Sequence, residues 1–209
     1  LVQALAGSKK RLRLAAPRDE PRLRAAMDEA VSIDDAPTVI RFSKEPLPSP
    51  LEAVARRGTV DVLVDTPGAR LLIVGYGQFA GLAIEVGRRT GAQGIPATVI
   101  DPVWALPVSA DLVDLCRAYD AVVTIEDSGV VGGLGARLAQ ELRAAGMSVP
   151  VQTIGIPQEF LEQASRAELI EEHGLSAQAI ARRVVELTVA SDAPGAVGLD
   201  DVAERPPRG

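Results

Sequence analysis

The sequence predicts an α/β fold built on a mainly parallel sheet, and three observations carry that expectation. Two strand, glycine-loop, helix units follow one another between Leu71 and Leu142. Their strand segments, Leu71 to Val74 and Ala121 to Ile125, are apolar without polar alternation, as strands buried on both faces are. Helix-spaced apolar residues follow each loop: Leu82, Ala83 and Val86 in the first unit, Leu134, Leu138 and Leu142 in the second.

In chain order, Leu12 to Ala15 reads as a short strand ended by Pro17, and Asp19 is placed to cap a helix. Leu23, Ala26, Met27, Ala30 and Val31 recur on one face of that helix. The turn Asp34-Asp35-Ala36-Pro37 leads to a strand over Thr38 to Phe42, so the first block is a strand, helix, strand unit. Pro46, Pro48 and Pro50 at alternate positions then predict an extended, stiff connector and a domain boundary. Gly58 to Val64 predicts a strand running into the turn Thr66-Pro67-Gly68. The main domain follows, and its strand Ala97 to Ile100 passes through Asp101-Pro102 to a helix over Ala110 to Ala118 capped by Ser109. Val149 to Ile154 predicts a further strand. Ser165 to Glu168 spells a capping box for a short helix closed by Gly174, and Ser176 caps a last helix with Ile180, Val184 and Leu187 on one face. Beyond about Ala190, Pro, Gly and charge without a period predict disorder.

A chain of 209 residues holds one α/β domain with attachments, or a small pair of domains. Its net charge of −6 gives no general attraction to nucleic acid or to an anionic membrane. Seven Lys or Arg crowd between Lys9 and Arg24, and without aromatic residues for base stacking they read as a solvated face. No run approaches the ~20 apolar residues of a membrane span, and Lys9, Lys10, Arg11 and Arg13 interrupt any signal-peptide core. The single cysteine, Cys116, excludes an internal disulfide, fits a reducing compartment such as the cytoplasm, and reads as a buried, inert thiol. His173, just before Gly174 and without a His or Cys nearby, reads as a helix C-terminal residue and not as a metal ligand. The chain begins with Leu1 rather than Met, which predicts a fragment or a processed product.

Two patterns carry chemistry. Gly75-Tyr76-Gly77-Gln78-Phe79-Ala80 fits the G-x-G-x-x-A form of the dinucleotide fingerprint, in which a helix N-terminus attracts pyrophosphate. Its acidic ribose partner is poorly placed, because Asp101 lies 26 residues beyond Gly75 and is followed by proline. Glu126 and Asp127 stand at the carboxyl end of the second strand, where paired carboxylates serve acid-base chemistry or cap a neighbouring turn. There is no Ser-His-Asp set, no P-loop and no Cys-x-x-Cys.

Five collinear segments carry a family resemblance: LRLAAPRDEPRLR (Leu12 to Arg24), DDAPTVIRFSK (Asp34 to Lys44), DPVWALPVS (Asp101 to Ser109), VTIEDSGVVGGLG (Val123 to Gly135) and IGIPQEFLEQASRAELIEEHGLSAQAIARRV (Ile154 to Val184). Together they resemble the C-terminal part of the 1-deoxy-D-xylulose-5-phosphate synthase family, transketolase-like enzymes that use thiamine diphosphate. The family joins pyruvate to glyceraldehyde 3-phosphate with loss of carbon dioxide. The resemblance implies that residues 1–45 are the tail of a pyrimidine-binding α/β domain and 46–68 a Pro-rich linker with a lead-in strand. It implies a transketolase C-terminal-type domain over 69–189, and the composition beyond it predicts a disordered tail over 190–209.

It implies further that Arg41 and Lys44 match the arginine and the basic position of an R-[FY]-P-[KR]-G motif that meets the aldehyde's phosphate. Ser43 and Glu45 depart from that motif, and Val103, Leu106 and Ser109 replace a family arginine, lysine and aspartate. The family's diphosphate and Mg²⁺ motif, its cofactor-activating glutamate and its active-site histidines precede the matched part. The chain alone is therefore expected to hold no cofactor and to be inactive, and to act in assembly and substrate docking. Its expected partner is a second copy or an N-terminal thiamine-diphosphate-binding chain, with neither nucleic acid nor membrane involved. A nucleotide-binding Rossmann-like module using Gly75 and Gly77, or a degenerate scaffold, are the alternatives.

Overall fold

The computed structural model describes residues 12–46, 48–160 and 163–192. The first block contains β1 (Arg13–Ala15), α1 (Glu20–Ser32) and β2 (Thr38–Ile40), with β2 parallel to β1. Asp19 caps α1, accepting from Arg22 N at 3.0 Å, and Pro21 sits in the first turn where a missing N–H costs nothing. A hairpin follows, β3 (Ala55–Arg57) and β4 (Val60–Val64), turning on Gly58 with φ at +59°. Next come β5 (Leu71–Gly75), a 3-10 turn over Gly77–Phe79, α2 (Ala80–Ala92), β6 (Ala97–Asp101), β7 (Trp104–Leu106) and α3 (Ala110–Cys116). The chain ends its described course with β8 (Ala121–Gly129), α4 (Leu134–Ala144), β9 (Val151–Ile156), α5 (Arg166–Glu172) and α6 (Ala177–Asp192).

Six strands form one sheet in the order β3-β4-β6-β5-β8-β9. The four strands β6, β5, β8 and β9 run parallel, as the apolar runs of β5 and β8 predict, while β4 joins antiparallel and carries β3 at the edge. Successive strand residues point to opposite faces, so Leu72 and Val74 pack under α3 and α4, and Ile73 packs under α2 and α6. The helix stripes read from sequence are the ones buried here: Leu134, Leu138 and Leu142 on α4, Ala83 and Val86 on α2, Ile180 and Val184 on α6. Leu187, expected on the same stripe, is exposed. Ser109 caps α3 through Leu112 N, and Ser165 and Glu168 close the capping box of α5.

Four features depart from the sequence reading. The strand Val60–Val64, placed with the linker, is a buried member of the main sheet, because β6 offers it an open edge. The segment Trp104–Leu106, three residues between prolines and too short to show a period, forms β7 and pairs antiparallel with β1. The first block is thereby stitched to the main domain in a second sheet of order β2-β1-β7. On α1 the expected apolar face buries only Ala26, whereas Met27 and Val31 are 54% and 89% exposed, since no element of the described chain packs over them. At the other end α6 continues to Asp192, and residues 193–209, where disorder was expected, lie outside the described residues.

Candidate functional site at the joint of the two sheets

Strand order decides where a ligand can sit. From β5 the chain moves to β6 on one side and then crosses back to β8 on the other, so the order reverses between β5 and β8. Open α/β sheets bind ligands at such a point, in the crevice outside the carboxyl ends of the strands. A cleft of about 60 Å³ occupies it, lined by Tyr76, Gly77 and Gln78 after β5 and by Asp127 on β8. The first block completes the wall with Ala16 and Pro17 after β1 and Arg41, Phe42 and Ser43 after β2. Four carboxyl strand ends from two sheets therefore converge.

The joint is locked by Arg18. Its guanidinium is buried, donates at 2.7 Å to both Asp61 on β4 and Asp101 on β6, and donates to Leu51 O at 2.8 and 3.0 Å. Asp19 accepts from Leu51 N at 2.9 Å, and Arg22 meets Asp61 at 2.6 Å. Burial pushes the Asp101 carboxyl up to about 6, with the Arg18 hydrogen bond pulling the other way. The reading of this basic run as a solvated face fails at Arg18, which the fold takes inside to meet two carboxylates from neighbouring strands. Asp101 is committed to that pair and to Val103 N at 2.9 Å, so it is not a ribose ligand.

The glycine fingerprint is filled by the protein itself. A Cβ at Gly75 would stand 2.7 Å from Ala83 Cβ and 2.9 Å from Ala80 Cα, so this glycine serves the close approach of α2 to the sheet. Gly77, with φ at +60°, faces Ala16 of the first block. A cleft of about 60 Å³ is far below the ~300–1,000 Å³ of pockets that hold drug-sized ligands and cannot seat a dinucleotide. Of the two carboxylates after the second strand, Glu126 is buried and accepts from Leu134 N at 2.7 Å, Gly135 N at 2.8 Å and Ser128 Oγ. It caps α4, where a negative charge meets the helix N-terminus. Asp127 pairs bidentately with Arg166 at 3.0 and 3.2 Å, and Arg166 lies 5.5 Å over the Phe79 ring. The acid-base pair therefore separates into a cap and an ion pair.

Cys116 is buried and its thiol pushed up to about 12 by that burial, an inert group. His173 is the C-cap of α5, with Nδ1 3.5 Å from Glu159. The two residues singled out for phosphate diverge in setting. Arg41 is half-buried on the cleft wall, and among the described residues its guanidinium has no ion pair or side-chain hydrogen bond. Lys44 is exposed and does not line the cleft. Of the departures, Ser43 lines the cleft and accepts from Glu45 N at 3.1 Å, while Val103 adopts φ at +56°, a strained state for a β-branched residue.

Comparison with known proteins places this architecture. The family model described as transketolase, C-terminal domain matches residues 60–180, from β4 into α6. The chain belongs to the transketolase C-terminal domain family. It is similar to the 1-deoxy-D-xylulose-5-phosphate synthase of Clavibacter sepedonicus, 48% identical over 197 residues that cover 94% of this chain and 30% of that protein. The synonymous protein of Rhodococcus jostii (strain RHA1) is 48% identical over 175 residues, covering 83% and 27%. The chain thus spans about 30% of the length of the curated relatives it matches. Among solved structures, a split-gene transketolase in an inactive β4 tetramer superposes with a TM-score of 0.76 at 26% identity, covering 88% of this chain and 60% of that one. Campylobacter jejuni transketolase shares the fold at a TM-score of 0.62 and 17% identity, over 84% of this chain and 26% of that one.

Membership in this transketolase C-terminal domain family brings thiamine diphosphate into question, and the donor set answers it. Among the described residues no group of three or more His, Cys, Asp or Glu is arranged to hold a metal ion. The buried carboxylates are engaged, Asp61 and Asp101 by Arg18 and Glu126 by α4. These residues do not fit a diphosphate and Mg²⁺ seat. No described helix is long and apolar enough to cross a membrane.

Proposed function

We propose that the chain is the C-terminal portion, or a split C-terminal subunit, of a 1-deoxy-D-xylulose-5-phosphate synthase acting in the cytoplasm. The observation that supports this most is the 48% identity over 94% of the chain, which runs through the first block as well as the family domain. In this reading the first block up to about residue 45 is the tail of a pyrimidine-binding domain, and the remainder carries the transketolase C-terminal domain.

Thiamine diphosphate and Mg²⁺, held by the N-terminal portion, supply the chemistry that joins pyruvate to glyceraldehyde 3-phosphate with loss of carbon dioxide. This chain contributes position. Arg41, with no ion pair among the described residues, faces the cleft and meets the aldehyde's phosphate there, while Lys44, exposed on the same loop, adds a point charge that attracts the phosphate from outside the cleft. The partner is an N-terminal thiamine-diphosphate-binding chain or domain, with oligomers formed as in other transketolase-like enzymes. The exposed Met27 and Val31 of α1 give that partner an apolar surface to cover.

Calorimetric titration of the purified chain with thiamine diphosphate and Mg²⁺ is expected to show no saturable binding, and assays with pyruvate and glyceraldehyde 3-phosphate no turnover. Mixing with the separately produced N-terminal portion of a synthase is expected to restore carbon dioxide release. Saturable cofactor binding by the chain alone, or failure to form a complex on mixing, would overturn the reading.

A further inference from the structure

Two residues that line the cleft at the strand switch, Tyr76 and Gln78, each bury a side-chain donor that has no hydrogen-bond partner among the described residues. Gln78 lines the cleft from the 3-10 turn after β5, and its Nε2 is buried with no hydrogen bond. A buried amide donor without an acceptor is a cost that native structures rarely keep unless a ligand or a water supplies the other half.

The rest of the wall says which ligand. Arg41 carries the cleft's uncommitted charge, since Asp127 on the opposite side is held bidentately by Arg166. The hydroxyl of Ser43 accepts from Glu45 N, which leaves its proton free to donate into the cleft. Neutral donors on Tyr76, Gln78 and Ser43 with one cation around about 60 Å³ suit a small tetrahedral oxyanion and exclude anything the size of a nucleotide. We infer that Gln78 is an anion-positioning residue that shares a phosphate group with Arg41 across the joint of the two sheets.

This rests on the reading of Arg41 as a phosphate-facing residue. It goes further in assigning a ligand contact to the strand-to-helix turn of the main domain. Phosphate then bridges an arginine from the first block and an amide from the six-stranded sheet, so that docking tightens the joint.

The test uses the whole chain with inorganic phosphate against chloride at constant ionic strength, read by calorimetry and thermal unfolding. The wild-type chain is expected to bind phosphate saturably and to melt at a higher temperature with it. Gln78→Met keeps the length and removes the donor. It should weaken phosphate binding about tenfold and raise the melting temperature in chloride, because an unpaired buried donor is gone. Arg41→Met should abolish binding.

If Arg41→Met abolishes binding and Gln78→Met leaves it unchanged, the Arg41 reading stands and the role of Gln78 is wrong. If Gln78→Met lowers the melting temperature in chloride, its amide is a structural group and the inference fails. Absence of phosphate binding by the wild-type chain, or binding indifferent to Arg41→Met, removes both.

Discussion

Arg18 and Arg41 lie 23 positions apart in the first block, each just past the carboxyl end of a strand, and the fold uses them in opposite ways. Arg18 is buried and spends its guanidinium on Asp61, Asp101 and the carbonyl of Leu51. Burial alone would lower its affinity for the proton, but its hydrogen bonds to Asp101 and Asp61 outweigh it. Arg41 stands at a cleft wall, half-buried, with its backbone N–H bonded to Ala15 O and its guanidinium uncommitted. An arginine whose every direction is occupied holds a structure together. One that is positioned by its backbone and left unpaired at a strand-end cleft is available to a ligand.

The largest effect should come from Arg18→Met, which strands Asp101 in the interior and leaves Asp61 to Arg22. Breaking one partner of a buried ion pair costs ~3–5 kcal/mol, to be read as a lower urea midpoint for the chain, with proteolysis moving into residues 12–46. A loss below about 1 kcal/mol, the scale of exposed pairs, would show that Arg18 does not clamp the blocks.

Next is the pH dependence that the same cluster imposes. With the Asp101 carboxyl raised from 3.8 to about 6, the folded chain holds a proton that the unfolded chain releases. Its contribution is present below pH 4 and is lost as pH rises towards 6, on the order of 2–3 kcal/mol at about 1.4 kcal/mol per unit. Asp101→Asn should flatten the stability profile between pH 4 and 6. An unchanged slope would place the titration elsewhere.

Glu126→Gln comes third, at about 2 kcal/mol, because an amide offers a donor where the N–H groups of Leu134 and Gly135 both need an acceptor. Amide hydrogen exchange in the first turn of α4 should rise in step with the loss. Unaltered protection there would mean that the cap is dispensable.

The smallest effect should be that of Arg41→Met, within about 0.5 kcal/mol of wild type as for surface groups free of structural ties. A loss comparable to that of Arg18→Met would erase the contrast between the two arginines and the argument for a ligand at the cleft.

The sequence by itself determined what is local or periodic. Unbroken apolar runs at Leu71–Val74 and Ala121–Ile125 announced buried parallel strands, and the 3.6-residue spacing of Leu134, Leu138 and Leu142 announced the face of α4. Caps at Asp19, Ser109 and Ser165 depend on residues three positions apart and were legible for the same reason. The collinear segments that resemble the synthase family pointed to a transketolase-type domain, and the family model over residues 60–180 agrees.

Only the tertiary structure decided how the blocks join. Arg18 meets Asp61 and Asp101 across 43 and 83 positions, and no periodicity reaches that far. β7 is three residues long, so its pairing with β1 is set by the partner edge rather than by its own pattern. The roles of Glu126 and Asp127, adjacent in sequence, were separable only once the N-terminus of α4 and Arg166 were in place. Gln78 carried no signal in a glycine-rich turn. Its Nε2 is buried without a partner in a cleft that Arg41 and Ser43 also line, and burial, unlike periodicity, is a property of the assembled chain.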